Sequence, residues 1–197
     1  ALREAGIDVS AAVRTDDGRG YVPVSSPGCE TPRQVGMVEW LDGVTLADLV
    51  SGASNEHAGA RHFAELGGVI ASLHEHTTNW SLPSTFVRRV WDADGLVGLD
   101  PLWGRFWEVP ELSTAQRILL LGARESIWGE LNDYGRDAGN FGLIHADLHL
   151  WNVVYHDGAP RPIDFDDCHF APYMTDVATT LWHHAKDAQS PALRDAY

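Results

Sequence analysis

Phe63, Leu66, Ile70 and Leu73 recur at i, i+3, i+7 and i+10, one apolar stripe that predicts a long helix over residues 56–76. A second long helix is predicted over 114–134. Ser113 followed by Gln116 reads as a capping box at its start, and Ile118, Leu121, Trp128 and Leu131 are expected to line its buried face. Elsewhere the period shortens. "VSAAVRTDDGRGYVPVS", 9–25, holds two β-prone runs around Asp17-Gly18, a strong hairpin signal. After the loop "SSPGCETP" comes a further strand, "RQVGMVEWL", 33–41, ended by Asp42-Gly43, and "VTLADLV" then opens something helical.

Residues 81–112 show no sustained period, and their aromatic landmarks Trp91, Trp103, Phe106 and Trp107 read most simply as core. From 141 the rhythm changes to short β-prone runs, "FGLIH", "NVVYH" and "RPIDF", with a turn at Asp157-Gly158; a helix from about Thr175 to Lys186 follows Pro172. No internal repeat or low-complexity tract interrupts this order. The expected class is α+β: small strands, two long helices, a dense loop-and-hairpin region, then more helix.

Composition narrows the function. The 197 residues are 44% hydrophobic with eight tryptophans, enough to bury a substantial core. No run of eighteen apolar residues and no basic-plus-apolar leader occurs, so a soluble, cytoplasmic protein is expected. Cys29 and Cys168 stand far apart and outside any CxxC pair, which points to neither a disulfide framework nor a zinc knuckle. A net charge of −14 disfavours nucleic acid and anionic membrane surfaces as partners and would attract a cationic substrate. Lys186 is the single lysine. Ala1 in place of methionine, and the unfinished helix "SPALRDAY" at the other end, are expected of a piece of a longer chain.

The chemistry concentrates in "HADLHLWN", 145–152, and "IDFDD", 163–167. Phosphoryl transfer to a hydroxyl needs a carboxylate to take or orient the nucleophile's proton, and oxygen ligands to hold magnesium against the phosphates. Asp147 and Asn152 on one tight loop, with Asp164 returned beside them by the hairpin, supply that set. Asp166 offers a second metal-side carboxylate, with Asp167 as a surface charge. His145 reads first as a scaffold residue bonded to the loop backbone, with proton transfer as its catalytic alternative. His149 reads the same way, with contact to phosphate or substrate as its alternative. His156, His169, His183 and His184 read as ordinary surface or core residues. A rival reading makes His145 and His149, at i and i+4, ligands of a zinc hydrolase, although the segment lies between β-prone runs and lacks His-Glu-x-x-His. A substrate wall for an amine could be built from Trp91, Asp92 and Asp94 together with Asp100 and Glu108.

"HADLHLWN" matches H-x-D-x-x-x-x-N, close to the kinase catalytic loop, and "IDF" stands where kinases have their Asp-Phe pair. The text from 33 to 187 resembles the aminoglycoside phosphotransferase family, kinase-like enzymes that also include choline, homoserine and stress response kinases. Its most specific part is 143–182. The resemblance implies that Asp147 is the catalytic base and that Asn152 and Asp164 bind Mg2+. "MVEWLDG" resembles the family's hinge, whose backbone at Met37, Val38, Glu39, Trp40 and Leu41 would hold the adenine of ATP (or GTP). "TDVATTLW", 175–182, resembles the helix after the metal-binding loop, where the family usually has an Asp like Asp176. Departures are Trp151, where a small residue is usual before the Asn, and Ala146, where Gly is common.

The division this implies is 1–43 as the remnant of an N-terminal lobe ending in the hinge, and 44–197 as a mostly helical C-terminal lobe carrying the catalytic hairpin. The expected activity is magnesium-dependent transfer of the γ-phosphoryl group to a hydroxyl of a small, amine-bearing molecule, such as an aminoglycoside, amino alcohol or hydroxy amino acid. A protein-serine kinase of the stress response type and a nucleotide-binding pseudokinase are the alternatives within the fold. A kinase-like site also needs an N-lobe lysine and a glycine-rich loop. Neither occurs upstream of the hinge, so these 197 residues alone are expected to fold without transferring phosphate.

Overall fold

A computed structural model describes residues 1–53, 56–183 and 195. The elements run β1 (Tyr21–Val24), β2 (Arg33–Gly36), β3 (Val44–Thr45), α1 (Leu46–Ser51), α2 (Glu56–Asn79), α3 (Ala93–Val97), α4 (Thr114–Tyr134), β4 (Phe141–Ile144), β5 (Val153–His156), β6 (Ala159–Pro162), β7 (His169–Pro172) and α5 (Met174–His183). Helices and small antiparallel sheets make this an α+β chain. The far end of the helix expected to reach Lys186, and His184 with it, lie outside the described residues.

The period-3.6 stripe on α2 does what it predicts. Phe63, Leu66, Ile70 and Leu73 are buried and join Leu46 and Ala47 of α1 with Leu148, Leu150 and Val153 in one apolar cluster. Three of those nine residues come from the 145–152 loop and the strand after it, so the main core and the candidate site are built from the same segment.

On α4 the capping box is present, Gln116 N–H donating to Ser113 Oγ and Ser113 N–H to Gln116 Oε1. The expected buried face packs only in part. Ile118 is 66% exposed and Leu121 is exposed too, whereas Trp128 and Leu131 are half-buried. The helix is held to its neighbours by two arginines. Arg117 Nη1 donates to Trp107 O and Arg124 Nε to Val97 O, each at 2.7 Å, with the Arg124 guanidinium 4.8 Å from the Trp107 ring centroid. Positions 117, 124 and 128 share a face, and the long aliphatic stems of arginine pack on it while their heads find carbonyls. The aromatic stretch is core only in part: Trp107 is buried, but Trp103 lies largely exposed.

The hairpin expected across 9–25 is corrected. A turn closes at Thr15–Arg19, but the two runs pair with the 33–39 segment rather than with each other. Tyr21–Val24 runs antiparallel to Arg33–Gly36, while Ala12 bridges Val38 with Val13 N–H donating to Met37 O and Glu39 N–H to Ala11 O. Side chains tie the intervening turn, Arg19 to Asp17 at 2.8 Å and Arg14 to Gly18 O at 3.1 Å.

β3 then pairs with β5, Val44 opposite Tyr155 and Thr45 opposite Val154, and β5 pairs with β6. This three-stranded sheet joins the chain just after Met37–Leu41 to the hairpin behind Asn152. Gly43, at φ 147°, sits where a Cβ would come within 2.5 Å of Tyr155 O, so the junction requires glycine. β4 pairs with β7, a strand the sequence pattern had not separated from the loop, with Ile144 opposite His169.

Candidate active site

The loop from His145 to Asn152 alternates. Leu148 and Leu150 are fully buried among α1 and α2, and between them Asp147 and His149 emerge half-buried toward solvent. Two apolar anchors thus fix the polar residues that flank them. Ala146 turns the chain at φ 73°, a left-handed conformation unusual for a residue with a Cβ. A 3₁₀ turn over Leu150–Asn152 then leads into β5.

Asn152 Nδ2 donates to Asp147 O at 2.9 Å and to Asp147 Oδ2 at 3.0 Å. The amide nitrogen is therefore committed to the aspartate, and the amide oxygen is the end suited to a cation. His149 Nε2 lies 3.5 Å from the same Oδ2. On the returning side, Asp157 at φ 49° and Gly158 at φ 80° form the tight turn that Asp-Gly predicts. Ile163 N–H donates to Asn152 O at 2.9 Å, which brings Asp164 alongside Asn152.

Asp164 is itself left-handed, at φ 64°. Its carboxyl is pushed up to about 6, first by a hydrogen bond shared with Asp166, then by burial and by the negative charges of Asp166, Asp147 and Asp167. Asp164 thus feels the charges of three other carboxylates on the side of the loop where Asn152 lies, oxygen donors of the kind that suit magnesium or calcium better than zinc. Among the described residues no three His, Cys, Asp or Glu side chains converge on a single preformed metal position. The set fits a cation that is completed by other oxygen ligands, since repulsion among these carboxylates is what a bound dication would relieve.

His145 is buried between the two arms. Its Nε2 lies 2.9 Å from Ile163 O, and Asp147 N–H points to its Nδ1 at 3.4 Å. A carbonyl only accepts, so Nε2 carries the proton and Nδ1 is the acceptor. Burial lowers its pKa, which keeps the ring neutral. The ring also packs on Phe165 at 4.6 Å. The zinc-hydrolase reading needs His145 and His149 on one helical face. The segment is a loop, and both His145 nitrogens are engaged with backbone, so that reading is set aside.

Asp176, at the start of α5, is completely buried and accepts from His145 N–H at 3.2 Å, Ala146 N–H at 2.7 Å and His74 Nε2 at 2.8 Å. Thr180 donates to Leu148 O, Thr179 to Ala146 O and Thr77 to Leu143 O. Asp176, Thr179 and Thr180 fall at i, i+3 and i+4, a polar stripe legible in the sequence but assigned no role there except at Asp176. His74 carried no signal, because its partner is 102 residues away.

The remaining expected residues scatter. Met37 and Trp40 are 69% and 86% exposed, with Val38 and Glu39 exposed and Leu41 half-buried, so this segment is not a buried strand. Asp92 caps α3 through Gly95 N–H at 2.9 Å and pairs with Arg136 at 2.5 Å, so its carboxylate serves the fold. Asp94 is an exposed first-turn residue of α3. Trp91 does border a cleft, but with Trp103, Asp166 and Asp167 rather than with Asp92 and Asp94. Trp151, half exposed, stands edge-on to His149 at 5.5 Å.

Over residues 1–197 the chain matches the model of the phosphotransferase enzyme family. Amicoumacin kinase of Bacillus subtilis (strain 168) is 30% identical over 122 residues, 61% of this chain and 33% of that protein. The microcompartment-associated aminopropanol kinase superposes with a TM-score of 0.74 at 29% identity, covering 100% of this chain and 62% of that one. An amicoumacin kinase solved in complex with AMP-PNP, Ca2+ and Ami superposes with a TM-score of 0.72 at 20% identity, covering 96% of this chain and 52% of that one, a likeness of fold. The chain therefore spans about a third of the curated relative and 62% of the aminopropanol kinase.

Proposed function

The chain belongs to the phosphotransferase enzyme family, and from that premise we propose that the whole protein transfers the γ-phosphoryl group of ATP (or GTP) to a hydroxyl of a small amine-bearing molecule. The observation that carries this is the double hydrogen bond from Asn152 Nδ2 to Asp147, which locks a carboxylate and an amide oxygen into one rigid unit. Preorganised positioning is most of what phosphoryl transfer asks of a protein.

In this reading Asp147 takes the proton of the acceptor hydroxyl. Its Oδ2 is held by Asn152, which leaves Oδ1 for the nucleophile. Asn152 and Asp164 would hold a divalent cation, with Asp166 on the same side; when bound, the cation neutralises phosphate charge. His145 is a positioning residue, bridging Asp147 N–H and the Ile163 carbonyl so that both arms keep one spacing. The adenine would meet the backbone at Met37–Leu41. Met37 O and Glu39 N–H already bond the 11–13 segment, so Val38 and Trp40 are the residues placed to serve it.

The amine-bearing acceptor rests on the net charge of −14 and on the aminopropanol named for the structural relative. The reading is tested by incubating the whole protein with Mg·ATP and a panel of amino alcohols, aminoglycosides and hydroxy amino acids, and following ADP release. Acceptor-dependent ADP supports it; ADP release that no acceptor stimulates refutes it.

A further inference from the structure

His169 leads β7 and is only 4% exposed. Its Nδ1 lies 2.7 Å from the Asp167 carbonyl, which can only accept, so Nδ1 carries the ring proton and Nε2 presents a lone pair. That Nε2 is buried and has no hydrogen-bond partner. A buried acceptor left unmet is costly and uncommon, and it marks a place where something donates.

The ring faces a cleft of about 480 Å³ bordered by Trp91, Trp103, Asp166, Asp167 and Arg88. Trp91 lies across His169 with centroids 3.8 Å apart and meets Trp103 edge-on at 5.9 Å. The register is built in: Trp91 N–H donates to Phe170 O at 2.7 Å and Phe170 N–H to Arg89 O at 2.9 Å. Arg88, on the exposed rim, donates to the Asp166 carbonyl at 3.2 Å. Arg89 lines the cleft with Arg88, so the two arginines offset the charges of Asp166 and Asp167, and it is the indole faces beside the bare His169 nitrogen that favour a compact ammonium ion. The cleft adjoins Asp166, which shares a hydrogen bond with Asp164, so an occupant would lie beside the acidic cluster of the candidate site.

We propose that His169 determines acceptor specificity: its Nε2 receives an N–H from the ammonium group of the phosphoryl acceptor, a shift of the Trp91 indole uncovers that nitrogen, and the indoles of the shifted Trp91 and of Trp103 face the cation. This rests on the function proposed above for the same site, and it adds the residue that reads the amine. A quaternary ammonium would satisfy the indoles but offer His169 nothing.

The test is calorimetric binding to the whole protein of two probes, 1-amino-2-propanol and its N,N,N-trimethyl analogue. His169→Phe should weaken the primary amine about tenfold or more, as loss of a charge-assisted hydrogen bond does, while leaving the trimethyl probe within roughly twofold. His169→Gln, whose amide oxygen can replace Nε2, should restore the primary amine. Equal losses for both probes, no loss for either, or no binding of 1-amino-2-propanol to the unaltered protein would overturn the assignment. Binding with the expected pattern but no phosphate transferred would instead sink the proposed function and leave His169 as an amine reader.

Discussion

Asp176 Oδ1 accepts the backbone N–H of Ala146 at 2.7 Å, across thirty residues of chain. Its other oxygen accepts from His145 N–H and from His74, so one buried carboxylate ties α5 and α2 to the entrance of the 145–152 loop. The loop's left-handed turn at Ala146 is held by this bond and by the burial of Leu148 two residues on. Asp176 touches nothing that would react, and its part is to place Asp147.

Removing that carboxylate should therefore unfold the site before it changes the chemistry. Asp176→Ala leaves two buried N–H groups and His74 without their acceptor, and a loss of about 3–5 kcal/mol is expected on the scale of broken buried ionic networks. Denaturant unfolding measures it. A loss below about 1 kcal/mol, the range of a surface substitution, would contradict the clamp.

At Ala146 the backbone angle makes a sharper prediction. A Cβ at φ 73° costs about 1–2 kcal/mol, and glycine removes that strain but adds freedom to the unfolded chain. Ala146→Gly should leave stability within about 1 kcal/mol of the parent. Ala146→Val, β-branched and more restricted, should destabilise clearly in the same thermal melt.

How far the sequence revealed all this varied with the range of the interactions. The α2 stripe and the Asp157-Gly158 turn are local, and both were legible. Asp147 and Asn152, five residues apart, meet for the same local reason, and the hairpin returns the chain at Ile163 to Asn152. The buried face of α4 was misread in part, because arginines hold it to its neighbours. The partner of Tyr21–Val24 was misread because two successive runs share one strand edge. The Asp176–His74 pair and the unmet nitrogen of His169 depend on contacts between distant segments, and no spacing rule reports those.

The acidic cluster gives a pH prediction. Asp164 titrates at about 6 in the folded chain, above its ordinary 3.8. The folded state thus binds more protons than the unfolded state between those values, and metal-free stability should fall as pH rises through that window. Asp164→Asn, which accepts a left-handed backbone well, should flatten this dependence and raise the metal-free melting temperature at pH 7. It should also remove stabilisation by added Mg2+. An unchanged pH profile in the variant would mean that Asp164 is not the group under strain.

Burial of His145 works in the opposite direction. Its folded pKa is lowered, so the unfolded chain takes up the proton first and stability should drop as pH falls through about 6.5. NMR titration of the imidazole should show His145 staying neutral below the pH at which exposed histidines protonate. Ordinary titration would remove the bridge between Asp147 N–H and Ile163 O from the account.

In the proposed reaction Asp147 takes the hydroxyl proton while Asn152 holds it in place. The most direct measurement is 31P NMR of the whole protein with Mg·ATP and 1-amino-2-propanol, comparing the parent with Asp147→Asn and monitoring nucleotide affinity separately. The expected result is a new phosphoester signal for the parent and a rate lower by about 10²–10⁴-fold in the variant, with ATP binding nearly unchanged. An Asp147→Asn protein that keeps more than about a tenth of the parent's turnover would contradict it.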